Sequence, residues 1–151
     1  MTSFIMSDAP KVVRGAFTKH DEPGTTVAGL VVSQQMVSQL DPKTGKPKLR
    51  QGRPIPQLEV VILTGWQTEP EDDGARKLFV RGNMQKAIKA AVIAAGDTDF
   101  RNGARLTLTY TGTGQAFSAD YAPPKLYQAK YEPPTEASLA EVAAYLEADD
   151  E

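Results

Sequence analysis

The stretch Arg76-Lys77-Leu78-Phe79-Val80-Arg81-Gly82-Asn83-Met84-Gln85-Lys86-Ala87-Ile88-Lys89-Ala90-Ala91-Val92-Ile93-Ala94-Ala95-Gly96 changes its period in the middle. Up to Arg81 it alternates, with Arg76, Leu78 and Val80 on one side and Lys77, Phe79 and Arg81 on the other, as in a half-buried strand. Beyond Arg81 the apolar residues Met84, Ala87, Ile88, Ala91, Val92 and Ala95 recur at helical spacing, and Lys86 and Lys89 fall outside that stripe. Asn83 suits an N-cap, and Gly96 stands where a left-handed residue ends a helix. A short strand therefore passes into the one strongly periodic helix of the chain.

Two further strands are expected before this stretch. Thr25 to Leu40 is rich in Val and Gln, and Gln57 to Gly65 follows after the turn chemistry of Asp41-Pro42-Lys43-Thr44-Gly45-Lys46. The two should form a long hairpin, and a further strand near Val12 to Thr18 would precede them. After the helix, Arg105 to Thr111 alternates Leu106, Leu108 and Tyr110 against Arg105, Thr107 and Thr109. A loop opened by Thr111-Gly112-Thr113-Gly114 leads to a last strand, Lys125 to Tyr131. Three strands, a helix and two strands are the order of the OB-fold, a five-stranded Greek-key barrel that binds ligands across strands 2 and 3 and the flanking loops. A generic α+β sandwich fits the same order.

The chain has 151 residues, 40% hydrophobic and 24% charged, which suits one compact domain. It contains no cysteine and a single histidine, His20, in a polar stretch that reads as a loop. Disulfides, thiolate or multi-histidine metal sites and cysteine nucleophiles are thereby excluded, and no cofactor is implied. The longest apolar run, Ala90 to Ala95, is far too short to span a bilayer. The first ten residues lack Lys, Arg and an apolar segment, so a cytoplasmic location is expected.

The net charge of −2 conceals a division. All 17 basic residues lie between Lys11 and Lys130, against 11 acids there; from Glu132 onward there are seven acids and no base. Glu132-Pro133-Pro134 separates a basic body, residues 1–131, from an acidic tail, residues 132–151, expected to be flexible or to hold a short helix over Ser138 to Leu146. Within the body, Lys43, Lys46, Lys48, Arg50 and Arg53 crowd the hairpin arm, and no acid occurs between Pro42 and Leu58. Such mutually repelling cations suit a polyanion, whose counterions they would release; a solvated hairpin tip is the plainer alternative.

Phe79 between Lys77 and Arg81 suits a base-stacking platform, unless it packs beneath the helix or a loop. Trp66 falls, by strict alternation, on the side of Val60 and Ile62, which makes it a core, rim or stacking residue. Tyr121, Lys125 and Tyr127 are the better binding candidates of the C-terminal aromatic group, whereas Tyr110 belongs to the core pattern. The adjacent carboxylates Asp72 and Asp73 admit a metal-dependent nuclease as a weaker reading.

Several motifs, taken in order, give the chain its family likeness: Asp41-Pro42-Lys43-Thr44-Gly45-Lys46-Pro47, Gly52-Arg53-Pro54-Ile55-Pro56-Gln57, Asp72 to Gly82, Tyr110-Thr111-Gly112-Thr113-Gly114 and Pro123-Pro124-Lys125-Leu126-Tyr127. Across roughly residues 24–134 it resembles the single-stranded DNA-binding proteins encoded by tailed phages of actinobacteria. The resemblance implies an OB-fold and non-enzymatic, sequence-tolerant binding of single strands in replication or recombination, in the host cytoplasm. It also implies an acidic tail that recruits replication or recombination proteins and competes for the basic groove. Here the tail ends Asp149-Asp150-Glu151 without a hydrophobic terminus, and Tyr145, Leu146 and Glu147 are the nearest substitutes. A homo-oligomer is compatible with this reading, as is the alternative of a protein-interaction or structural phage module.

Overall fold

A computed structural model describes residues 14–18, 21–116, 118–119 and 122–150. Val12, Val13, His20, Tyr121 and Glu151 lie outside the described residues, as do the side chains of Asp149 and Asp150. In chain order the elements are β1 (Arg14–Gly15), β2 (Thr26–Ser38), β3 (Leu49–Arg50), β4 (Arg53–Pro54), β5 (Pro56–Leu63), β6 (Ala75–Val80), α1 (Gly82–Ala94), β7 (Arg105–Thr113), β8 (Lys125–Glu132) and α2 (Glu136–Asp150). The protein is mainly β: six strands, in the order β1-β6-β5-β2-β7-β8, form one sheet curled into a half-barrel, and β3 and β4 form a separate ribbon. Among the described residues no helix is long and apolar enough to cross a membrane.

The curl is organised by β2. Its first part, Thr26 to Leu30, pairs antiparallel with β7, and Leu30 to Ser38 pairs antiparallel with β5, with a register shift between Val31 and Ser33. One strand thus belongs to both halves of the sheet. Gly29 stands where they meet: a Cβ there would lie 2.3 Å from the Leu63 carbonyl oxygen, closer than any side chain tolerates. The bulge adds local twist.

The inner face carries Val27, Val31, Val60, Ile62, Leu78, Leu106, Leu108 and Tyr131, all buried. α1 lays Met84, Ile88, Ala91 and Val92 on this core, which realises most of the stripe read from the sequence. Its ends differ from each other. At the C-terminus Gly96, at φ 78°, lets the Asp97 and Gly96 amides donate to the Val92 and Ile93 carbonyls as expected. At the N-terminus the cap position is Arg81, with no side-chain cap. Asn83, expected in that role, instead donates from Nδ2 to the Lys125 carbonyl at 3.1 Å and ties α1 to β8.

The two open sides of the half-barrel approach each other through side chains. Beyond β1, which runs parallel to β6, Phe17 meets Tyr127 of β8 at 5.6 Å between ring centroids, and Tyr127 meets Tyr110 at 5.8 Å. β1 lies within the further strand expected near Val12 to Thr18, and among the described residues it brings the sheet to six strands, one more than the five of the barrel order.

The acidic segment is more ordered than its composition suggests. Thr135 and Ser138 exchange side-chain-to-amide bonds at 2.8 and 3.0 Å, a capping box that starts α2. The helix extends well past the expected Ser138 to Leu146 and lies on the outer face of the sheet. There Val142 is buried against Leu30 and Val32, with Val61, Leu63 and Tyr145 around them. Gly103 provides the room for Leu139, since a Cβ there would come within 2.6 Å of Leu139 Cδ2.

The strand phase of β6 has a direct test in urea denaturation. Leu78→Ala should lower the unfolding free energy by about 2–5 kcal/mol. Phe79→Ala, one residue on and exposed, should change it by about 0.5 kcal/mol. Equal losses would contradict this phase.

Candidate nucleic-acid interface

The arm between β2 and β5 is a folded unit. Asp41 and Lys46 close a turn, with the Asp41 amide donating to the Lys46 carbonyl at 2.8 Å and Asp41 Oδ1 accepting from the Lys43 amide at 2.8 Å. A second, two-residue turn joins β3 to β4 with Gln51 at φ 53° and Gly52 at φ 78°, the two left-handed positions of a tight hairpin. Gln39, Lys48 and Ile55 interlock the base: Gln39 donates to Ile55, Ile55 to Lys48 and Lys48 to Gln39 through backbone bonds of 2.7–3.0 Å. Lys43 and Lys46 sit on the first turn, and Lys48, Arg50 and Arg53 on or beside the ribbon. All five are exposed, and among the described residues none of them forms an ion pair with a carboxylate.

Next to the arm the outer face of β2, β5 and β6 forms a groove of about 540 Å³ lined by Val37, Leu40, Gln57, Glu59, Phe79 and Arg81. Phe79 is 46% exposed and lies opposite Glu59 in the register of β5 with β6. Arg81 follows, its Nη1 donating to Gln39 Oε1 at 2.9 Å, so the start of the arm holds the guanidinium at the groove. Lys77 is not free on this face. Its Nζ pairs with Glu59 at 3.0 Å and lies 5.8 Å from the Phe79 ring centroid. The hydrogen bond from Lys77 holds the Glu59 carboxyl below its ordinary range.

Other expected site residues do not join this groove. Trp66 lies beyond the end of β5, where Leu63 pairs with Ala75, at the opposite end of β5 and β6 from the arm. It is exposed and packs on the Arg76 guanidinium, 5.5 Å from its ring centroid. Tyr127 is half-buried, in edge-type contact with the Phe17 ring and tilted contact with the Tyr110 ring, so it belongs to an aromatic cluster within the protein, and burial pushes its hydroxyl pKa up. Lys125 is exposed, with Nζ 3.5 Å from the Thr18 carbonyl oxygen and 5.7 Å from the Tyr110 ring centroid. In α2, Tyr145 donates its hydroxyl to Asp73 Oδ2 at 2.9 Å, whereas Leu146 and Glu147 are exposed.

The acidic loop before β6 is built around a buried ion pair. Arg76 donates to both carboxylate oxygens of Asp72 at 2.9 and 2.8 Å, and Asp72 also accepts from the Thr68 and Gly74 amides. Asp73 accepts from the Ala75 amide and from Tyr145. Both carboxylates considered for a nuclease thus hold the loop and α2 together. Among the described residues no group of three or more His, Asp or Glu side chains is placed to hold a metal ion.

The groove residues Leu40, Gln57 and Glu59, and Gln39, which holds Arg81 beside the groove, were not singled out in the sequence. A usable signal exists for two of them: Gln57 and Glu59 alternate with Leu58 and Val60, which sets them on the open face. Comparison of the chain with family models, curated proteins and solved structures yields no match.

The Asp72 pair has a sign-determined pH signature. The Arg76 guanidinium, followed by the Thr68 and Gly74 amides, holds the Asp72 carboxyl well below its ordinary value of 3.8. Its stabilising contribution is therefore complete above that value and is lost as the pH falls below it. The Tm of the protein should drop as the pH is lowered from about 5 to 2.5, and Asp72→Asn should start lower and drop less steeply. Its loss should also alter the emission of Trp66, the only tryptophan. Parallel Tm curves for the two proteins would contradict this role.

Proposed function

We propose that the protein binds single-stranded DNA without catalysis, through the arm and the open face of β2, β5 and β6. In this reading it protects and organises single strands during phage replication or recombination. The observation that carries the reading is the set of five exposed arm cations, Lys43, Lys46, Lys48, Arg50 and Arg53, which have no carboxylate partner among the described residues. An unpaired cluster of this density favours a polyanion on electrostatic grounds. Beside it the exposed ring of Phe79 offers a face to a base, and Arg81 offers a cation at the groove. Duplex DNA has its bases stacked away, so a lone ring in an open groove favours single strands.

The strand order supports an OB-fold reading. β2, β5 and β6 are consecutive neighbours, α1 follows them, and β7 and β8 return against the other side of β2. That order favours a Greek-key barrel in which the strand 1 to 2 loop, here the arm, would flank the binding face. In α2, the exposed Leu146 and Glu147 favour a role in meeting replication or recombination proteins more than Tyr145 does.

One observation favours the alternative of a protein-interaction module: Leu40 and Leu49 of the arm are exposed as well. The two readings diverge in solution. Labelled oligo-dT should bind with a log–log salt slope of about −0.7 per phosphate contact, or about −3.5 when each arm cation meets one phosphate. Phe79→Ala should cost about 1–3 kcal/mol of affinity. Preference for duplex, or affinity retained by the triple variant Lys48→Ala, Arg50→Ala and Phe79→Ala, would favour the protein-interaction module.

A further inference from the structure

The outer groove has a counterpart on the other face of the same end of the sheet. Leu58 and Val80 alternate with Gln57, Glu59, Phe79 and Arg81, so their side chains point to the inner face, where the half-barrel stays open between α1 and the 97–100 loop. The opening is a cavity of about 370 Å³ lined by Leu58, Val80, Ile88 and Val92. Its border is apolar as well: Ile93 on α1 and Met36, in register with Leu58, are each 64% exposed, and Phe100 is half-buried. Exposed apolar side chains gathered around a cavity mark a place where another chain docks. The charges on its two rims narrow the choice of that chain. Lys89 stands exposed on the α1 side and Asp99 exposed on the loop side, and among the described residues neither forms an ion pair. Asp97, also on the loop side, is already held by Arg101 Nε at 3.1 Å and by the Tyr131 hydroxyl at 2.9 Å.

We infer that this opening is a self-complementary interface that takes a second copy of the chain, about a twofold axis running along the cavity. Rotation about that axis exchanges the two rims, so Lys89 of each protomer faces the partner's Asp99. Ile93, on the rim of Lys89, comes to the partner's Phe100 on the rim of Asp99, and each is covered by the other. An axis set across the cavity would place Lys89 against the partner's Lys89, so the rim charges fix the orientation of the pair. A wholly acidic or wholly basic occupant would meet a like charge on one rim, whereas a second copy meets none. The outer groove stays free, because its residues point the other way. Leu58 follows closely on Ile55, where the base of the arm is tied, so both arms border the interface. Resting on the single-strand reading above, the dimer then offers two sets of arm cations to one strand.

Sedimentation of the full-length protein over a dilution series tests the pairing. A monomer–dimer equilibrium without larger species is expected, because a twofold interface closes on itself. Ile93→Glu changes an exposed position, and should keep the circular dichroism of the native protein while sedimenting as a monomer. Lys89→Glu and Asp99→Lys each set like charges across the interface and should weaken dimerisation by roughly tenfold or more, whereas the protein carrying both should regain it. A wild type that is monomeric at every concentration would overturn the interface in favour of a different protein as occupant. A dimer untouched by Ile93→Glu, or a double variant no better than either single one, would overturn it in favour of another surface. In binding assays, an oligo-dT long enough for both arms should gain affinity over a short one in the wild type and lose that gain in Ile93→Glu. An equal gain in both proteins would overturn the joint use of the arms. Absence of binding to either oligonucleotide would overturn the single-strand reading and leave the dimer standing.

Discussion

The sharing of β2 between two partners is the constraint from which the rest of the structure follows. Because β7 pairs with its first part and β5 with its second, the sheet has to curl at Leu30, the residue that is in register with both Leu63 and Arg105. Gly29 makes the close approach possible there, and the adjacent bulge turns the strand. The far end of β2 and the near end of β5 then project together past the body and carry the arm with them. The same curl brings the sheet's inner face onto α1 and leaves an outer face open along β2, β5 and β6.

That outer face is divided in two. At one end the arm concentrates positive charge, and Phe79, Arg81, Gln57 and Glu59 line the groove beside it. At the other end α2, made almost entirely of acids and small apolar residues, covers Leu30 and Val32. The near-neutral formal charge is therefore a sum over separate regions, and the two stretches of opposite sign occupy opposite ends of one sheet surface. Lys77 and Glu59 neutralise each other between them at 3.0 Å. Any polyanion on this face meets its strongest attraction at the arm.

Much of this was legible because it is local. The alternation of Leu78 and Val80 against Phe79 set the ring on the open side, and the helical recurrence of Met84, Ile88, Ala91 and Val92 marked α1. The long hairpin, the turns of the arm and its cation cluster are also properties of adjacent residues. What was not legible depends on partners distant in the chain. Alternation could not place Trp66, because β5 ends at Leu63 and the residue's neighbour, Arg76, comes from another strand. Tyr127 carried the composition of a binding residue, but Phe17 from the N-terminal edge packs against it. Asn83 lies two residues inside the cap position and its side chain bonds a carbonyl of β8, distant in the chain. The docking of α2 left one trace in the sequence: Leu30, Val31 and Val32 are consecutive apolar residues in a strand, which requires cover on both faces.

The central claim is that single strands lie on the arm and the groove of β2, β5 and β6. Amide chemical-shift mapping during titration with a short oligo-dT tests it most directly, since it reads every non-proline backbone amide at once. The account requires the largest shifts at the amides of residues 43–53 other than Pro47 and at Gln57, Phe79 and Arg81, with small shifts along α1 and the inner core. Shifts concentrated on α1 or the outer surface of β8, or a spectrum unchanged at saturating oligonucleotide, would contradict it.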